Sequence, residues 1–238
     1  MATNKVHIIT DWLWRMIRYN LKIIFANKFI WFLLAALGFF VMVTIITLFS
    51  GTMITTGTVF NLLLYPGLLL IFYPTVFGIQ NDEDNRILEI LFGIPNYRYK
   101  VWLVRLVMIL FLVFAVLLLL AWFCSWTLVS FTPVYMAFHL IFPVFLMGTL
   151  AFLLSTLVRN GIGTAVIMVI IGLVFSILAD AIERSKWNLF LNPFKMPDQL
   201  SEAVWLNTVH DNRIIIVVLI VLCILGGLLS MQRREKFM

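Results

Sequence analysis

Three consecutive carboxylates, Asp82-Glu83-Asp84, form the densest acidic cluster in a chain that is otherwise basic, with 17 Lys and Arg against 11 Asp and Glu and a net charge of +6. Carboxylates at the start of a helix suit the positive end of its dipole. They can also meet basic residues on a partner surface. The residues that follow supply such a helix. Ile87, Leu88, Leu91 and Phe92 recur at helical spacing, Gly93 is a C-terminal stop, and Pro95 blocks continuation. Arg86 and Glu89, three apart, share its polar side. The spacing therefore predicts a short helix over 82–93, acidic at its start. It is either a docking lever for a soluble partner or a solvated loop with a helix-dipole preference.

Other chemistry-bearing patterns are sparse. The chain has no Gly-x-x-x-x-Gly-Lys-Ser/Thr phosphate loop, no His-Glu-x-x-His pair and no Gly-x-Ser-x-Gly elbow. His7, His139 and His210 are scattered, and His139 reads as an interfacial or packing residue before it reads as a ligand. Cys124 and Cys223 sit inside apolar runs without metal spacing, so no metal site is expected. Asp180 could meet Arg184 one turn later or serve a substrate path. A membrane-embedded enzyme would need a nucleophile, a metal cluster or paired carboxylates, and an ion-driven secondary transporter would need acids near the bilayer midplane; neither pattern is evident.

The elements that must position these residues are dictated by hydropathy. Of 238 residues 63% are hydrophobic and 12% charged, too few charges to cover a soluble core of this size. The chain reads as a polytopic all-α integral membrane protein. Six apolar stretches, at 29–50, 58–80, 101–126, 135–158, 162–181 and 213–231, each have the ~20 residues needed to cross ~30 Å of hydrocarbon. Ahead of them, 6–28 is amphipathic: Asp11, Arg15, Arg18 and Lys22 line one face, opposite Trp12, Leu13 and Ile17. That segment is a juxtamembrane anchor or an elbow helix touching a partner. The first apolar run begins too late for a cleaved leader and is expected to stay as an anchor.

Of the 17 basic residues, all but Arg184, Lys186, Lys195 and Arg213 lie on one side if the N-terminus is cytoplasmic, so both termini and the acidic segment are expected in the cytosol. The excess of basic residues is explained by span ends and anionic headgroups, with no call for nucleic acid. The long connection at 182–212 faces outward. Trp187, Phe190, Phe194 and Trp205 make it too apolar for a solvated linker, and a short helix capped by Asp198 fits 198–206. Small residues at Gly148, Ala151 and Ser155, at Gly172 and Ser176, and at Gly226 and Ser230 predict close helix contacts, either within the bundle or at a dimer contact. Pro66, Pro74 and Pro143 predict bends. Thr44, Thr47, Thr52, Thr55, Thr56 and Asn61 form a modest polar set near the outer ends of the first two spans. They line a path, or the threonines bond their own backbones. A lining that mixes apolar and hydroxyl groups suits an amphipathic or lipid-linked substrate.

The acidic pair, the Leu88-Glu89-Ile90-Leu91 run, then Gly93-Ile94-Pro95-Asn96-Tyr97-Arg98 before the third span resemble the membrane subunit of bacterial type-2 ABC exporters. The similarity extends to the amphipathic N-terminal segment, the six spans and the Asn192-Pro193-Phe194 turn. Where that family has Gly-Thr or Gly-Ser before the Leu-Glu, this chain has Arg86-Ile87. The resemblance implies an N-terminal elbow helix and a cytoplasmic coupling helix over 82–93, with Asp82, Glu83, Asp84, Arg86 and Glu89 touching an ATP-binding subunit. It implies a permease in the bacterial inner membrane, paired with an identical or different second permease. ATP and Mg would be bound by the partner ATPase, with no cofactor and no catalytic residue in this chain. The rivals are an ion-coupled secondary transporter and a non-transporting assembly subunit.

Overall fold

A computed structural model describes residues 29–51, 53–84, 98–178, 181–183, 185–197 and 200–231. Among them the regular structure is helical throughout: α1 (Phe29–Phe49), α2 (Thr56–Val76), α3 (Gly78–Asp84), a π-helical turn (Arg98–Leu103) running into α4 (Val104–Thr127), α5 (Pro133–Val158), α6 (Gly161–Leu178) and α7 (Glu202–Ser230). Among the described residues six helical stretches are long and apolar enough to cross a membrane, α2 and α3 counting as one stretch over Thr56–Asp84. The amphipathic 6–28 segment lies outside the described residues.

Two boundaries differ from the hydropathy reading. The second span does not stop at residue 80; after a break at Phe77 the helix resumes and carries Asp82, Glu83 and Asp84 on its last turn. The last helix begins at Glu202, with Ser201 as its N-terminal cap residue, eleven residues before the apolar run. Its first turns are polar, which hides them from a hydropathy count. They still carry a buried stripe at Trp205, Val209, Asn212 and Ile216, spaced 4, 3 and 4. At 1.5 Å per residue its 29 residues reach about 44 Å, so α7 overshoots the ~30 Å hydrocarbon layer. The expected short helix over 198–206 is its first turns; Asp198 lies outside the described residues.

α2 and α5 form the centre. α5 packs against α2, α4, α6 and α7, and α2 against α1, α4 and α5. Val59, Phe60, Leu63, Leu117, Leu140 and Val144 fill the space between them. The outer faces of α1, α4, α6 and α7 expose large apolar side chains, among them Trp31, Phe49, Phe111, Trp126 and Ile177. Apolar area on this scale is stable against lipid and not against water. The chain is a multi-pass membrane protein.

Small residues set the closest approaches. Gly148 on α5 receives the Ile71 side chain of α2, and Gly227 on α7 receives the Phe152 ring; a Cβ at either would overlap its neighbour. On the same α5 face Ala151 is buried beside Val76, and Ser155 Oγ donates to the Val76 carbonyl at 3.0 Å. Ser230 Oγ donates to the Thr156 carbonyl at 3.3 Å. Two of the three small-residue faces therefore build the bundle. The third does not: a Cβ at Gly172 would meet nothing within 4 Å.

Candidate functional site

Two arrangements lie toward opposite ends of the α2–α3 stretch. At the α3 end, Asp82 is 2% exposed and turned inward, where its Oδ2 accepts from Arg105 Nη1 at 2.6 Å. Arg105 is also buried, and its guanidinium lies over the Trp102 ring, 4.9 Å from the centroid. The pair bridges the two helices that flank residues 85–97, tying the last turn of α3 to the first turn of α4. Nearby, Gln80 Oε1 accepts from the Gly161 amide at 2.7 Å, which docks the α5–α6 turn on α3. That turn is tight: Arg159 closes α5 with φ 57, and Asn160 Oδ1 accepts from the Gly163 amide at 2.9 Å to start α6.

The five acidic-segment residues therefore divide. Glu83 and Asp84 are exposed. Asp82 is withdrawn into an internal ion pair and presents no surface, because a carboxylate on this turn that faces the bundle meets the buried Arg105. Arg86 and Glu89 lie outside the described residues, as does all of 85–97.

Along the other half of α2 runs a cleft of about 800 Å³. Its walls are Phe32 and Phe39 of α1, Leu64 to Phe72 of α2, Met147 and Ala151 of α5, and Met168 to Ser176 of α6. Its polar end is made by Asn61 together with Glu183, Asn188, Asn192 and Lys195 from the α6–α7 connection. The Gly172–Ser176 face opens here, which explains why no helix fills it.

The connection at the polar end is tightly held, as its aromatic content anticipates. Two Asx turns shape it: Asn188 Oδ1 accepts from the Phe190 amide and Asn192 Oδ1 from the Phe194 amide, both at 3.0 Å. Asn192 Nδ2 donates across to the Gly57 carbonyl at 2.8 Å and to Asn61 Oδ1 at 3.1 Å, fixing the turn to the start of α2. Phe194 enters an aromatic box with Phe60, Tyr135 and His139. From α7, Asn212 Nδ2 donates to the carbonyls of Lys186 and Asn188 at 2.8 and 2.9 Å, and Trp205 Nε1 to the Pro193 carbonyl at 3.1 Å. Arg213 is 7% exposed; it donates to Asn212 Oδ1 and the Leu191 carbonyl and lies over the Phe142 ring. The charge count assigns Arg213 to the outer side without placing its side chain, which the structure buries. Exposed ion pairs join Lys195 to Glu183 at 2.8 Å and Lys186 to Asp211 at 3.7 Å. Asp180 and Arg184 lie outside the described residues.

Of the six residues of the polar set expected near the outer ends of the first two spans, Asn61 lines the cleft. Thr44 and Thr47 turn their hydroxyls onto the carbonyls of Phe40 and Val43, at 2.7 and 2.8 Å. Thr55 caps α2: its side chain accepts from the Thr58 amide at 3.2 Å, and Thr58 Oγ1 accepts in return from the Thr55 amide at 3.4 Å. Thr56 is the first residue of α2, and Thr52 lies outside the described residues. His139 packs against Tyr135, Phe138 and Phe142, as the packing reading has it. The cleft residues that sequence reasoning missed, Phe39, Tyr65, Glu183, Asn188 and Lys195, carry no local signal. Asn61 and Asn192, two amides in apolar surroundings, are the nearest thing to one.

The fold and these sites define an all-helical multi-pass membrane protein with a one-sided apolar cleft. Compared with protein-family models, with curated proteins and with solved structures, the chain gives no match.

Proposed function

We propose that this chain is the permease subunit of an ATP-driven transporter of the bacterial inner membrane. Both termini are cytoplasmic, and a separate subunit binds ATP and Mg. A second permease, identical or not, completes the transport path, and the cargo is amphipathic or lipid-linked. Export is the direction of transport.

The observation that carries this is the buried Asp82–Arg105 pair. It locks together the helix ends on either side of residues 85–97, so a push on that segment is delivered to α2–α3 and α4 as a unit. α2 is also a wall of the cleft. A partner that moves the acidic segment thus acts on α3, which follows the cleft-lining α2 after the single-residue break at Phe77. Glu83 and Asp84 remain available to basic residues on such a partner.

The test is affinity purification of the full chain from native membranes in mild detergent. A Walker-motif ATPase is expected to co-purify, and Glu83→Lys/Asp84→Lys to release it while leaving the fold intact, since neither side chain is buried. An impermeant maleimide should label Glu83→Cys only after the cytoplasmic face is opened. Recovery of the chain without any ATPase, or labelling of Glu83→Cys from the outside, refutes the proposal.

A further inference from the structure

The cleft has the depth of one leaflet. Asn61 at its polar end and Phe72 at its apolar end are eleven residues apart on α2, about 16 Å along the helix axis. Half of a ~30 Å hydrocarbon layer is about 15 Å. Tyr65 and Leu69 on α2, with Val169 and Leu173 on α6, line the cleft and are themselves exposed, so it opens sideways between helices and not only at its end. A molecule can therefore enter from within the bilayer without crossing water.

The polar end adds a charge pattern. Glu183 and Lys195 both line the cleft and face each other at 2.8 Å, with their side chains 41% and 68% exposed. An ion pair this exposed contributes little, on the order of 0–1 kcal/mol, so exchanging it for two contacts with a ligand costs little. The exchange works only for a ligand that carries both signs close together. A headgroup with a net negative charge meets Glu183, and one with only a positive charge meets Lys195.

We infer that the cleft binds one phospholipid with a zwitterionic headgroup: its phosphate on Lys195, its ammonium on Glu183, one acyl chain laid along α2, and the other left in the bilayer through the side opening. This deepens the transport reading by naming its class of cargo. It rests on that reading only for the lipid's being transported; binding is measured without ATP or any partner, so the two ideas fail separately.

The test uses the purified full chain in mixed micelles with phosphatidylethanolamine carrying a photoreactive diazirine in one acyl chain, and with phosphatidylglycerol bearing the same chain. Label from phosphatidylethanolamine should map to 64–72 and 168–176 and exceed that from phosphatidylglycerol by at least about tenfold. Gly172→Trp places its ring in open cleft space and should abolish the labelling while leaving thermal stability unchanged. Lys195→Glu should remove the headgroup preference, and Lys195→Glu with Glu183→Lys should recover it. Equal labelling by the two lipids, labelling that survives Gly172→Trp, or a disulfide between two copies at Gly172→Cys that forms with the lipid shut out would each overturn the inference. The last outcome would mean that a second copy covers the cleft.

Discussion

Replacing Arg105 with methionine keeps most of the side-chain volume and leaves the Asp82 carboxylate buried without its partner. At the observed 2.6 Å and an effective dielectric of about 20, the two charges attract by about 6 kcal/mol. Burying them costs several kcal/mol per ion, so the intact pair is close to neutral in net effect. Breaking it is not neutral, because the remaining charge keeps its desolvation cost and loses its compensation, about 3–5 kcal/mol. At about 2–4 °C per kcal/mol for a chain of this size, Arg105→Met should lower the melting temperature by about 6–20 °C. The assay is thermal unfolding in detergent followed by tryptophan fluorescence, on Arg105→Met, Asp82→Leu and the double variant. The double variant should return to within about 1–2 kcal/mol of the parent, since two apolar side chains there need no counter-charge. If Arg105→Met costs less than about 1 kcal/mol, or if the double loss is the sum of the single losses, the pair is not a buried lock and the mechanical link to residues 85–97 fails with it.

Gly148→Ala and Gly227→Ala should each cost about 1–3 kcal/mol, because the added methyl meets the enclosed Ile71 and Phe152 side chains; Gly172→Ala should be neutral or stabilising by up to about 1 kcal/mol, and the same unfolding assay separates the three. Asn212→Ala removes the donor to the Lys186 and Asn188 carbonyls and the acceptor of Arg213, and should cost about 2–4 kcal/mol. Limited proteolysis should then cut the 181–200 connection faster than in the parent, while equal cutting would show that other contacts hold it.

Legibility in the sequence followed the range of each interaction. Span existence was readable, since a run of ~20 apolar residues has no other stable home than a helix in lipid. The small residues on α5 were readable for the same local reason: Gly148 and Ser155 are seven apart and share a face, and that face packs on α2. The start of α7 was not, because its first turns are polar and their burial comes from the α6–α7 connection folding over Trp205 and Val209.

The composition and its periodicity determined that this is a helical, multi-pass membrane protein, and they marked the acidic turn and the Asn192-Pro193-Phe194 turn as places to look. Only the tertiary structure decided what those residues face. Asp82 and Glu83 are neighbours of the same type, yet one is paired with Arg105, 23 residues away, and the other is exposed. Asn61 meets Asn192 across 131 residues, and Glu183 meets Lys195 at the end of a cleft whose walls come from four helices. A residue's type and its helical register depend on its near neighbours. Its partner depends on which helices lie side by side, and that is a property of the whole packed chain.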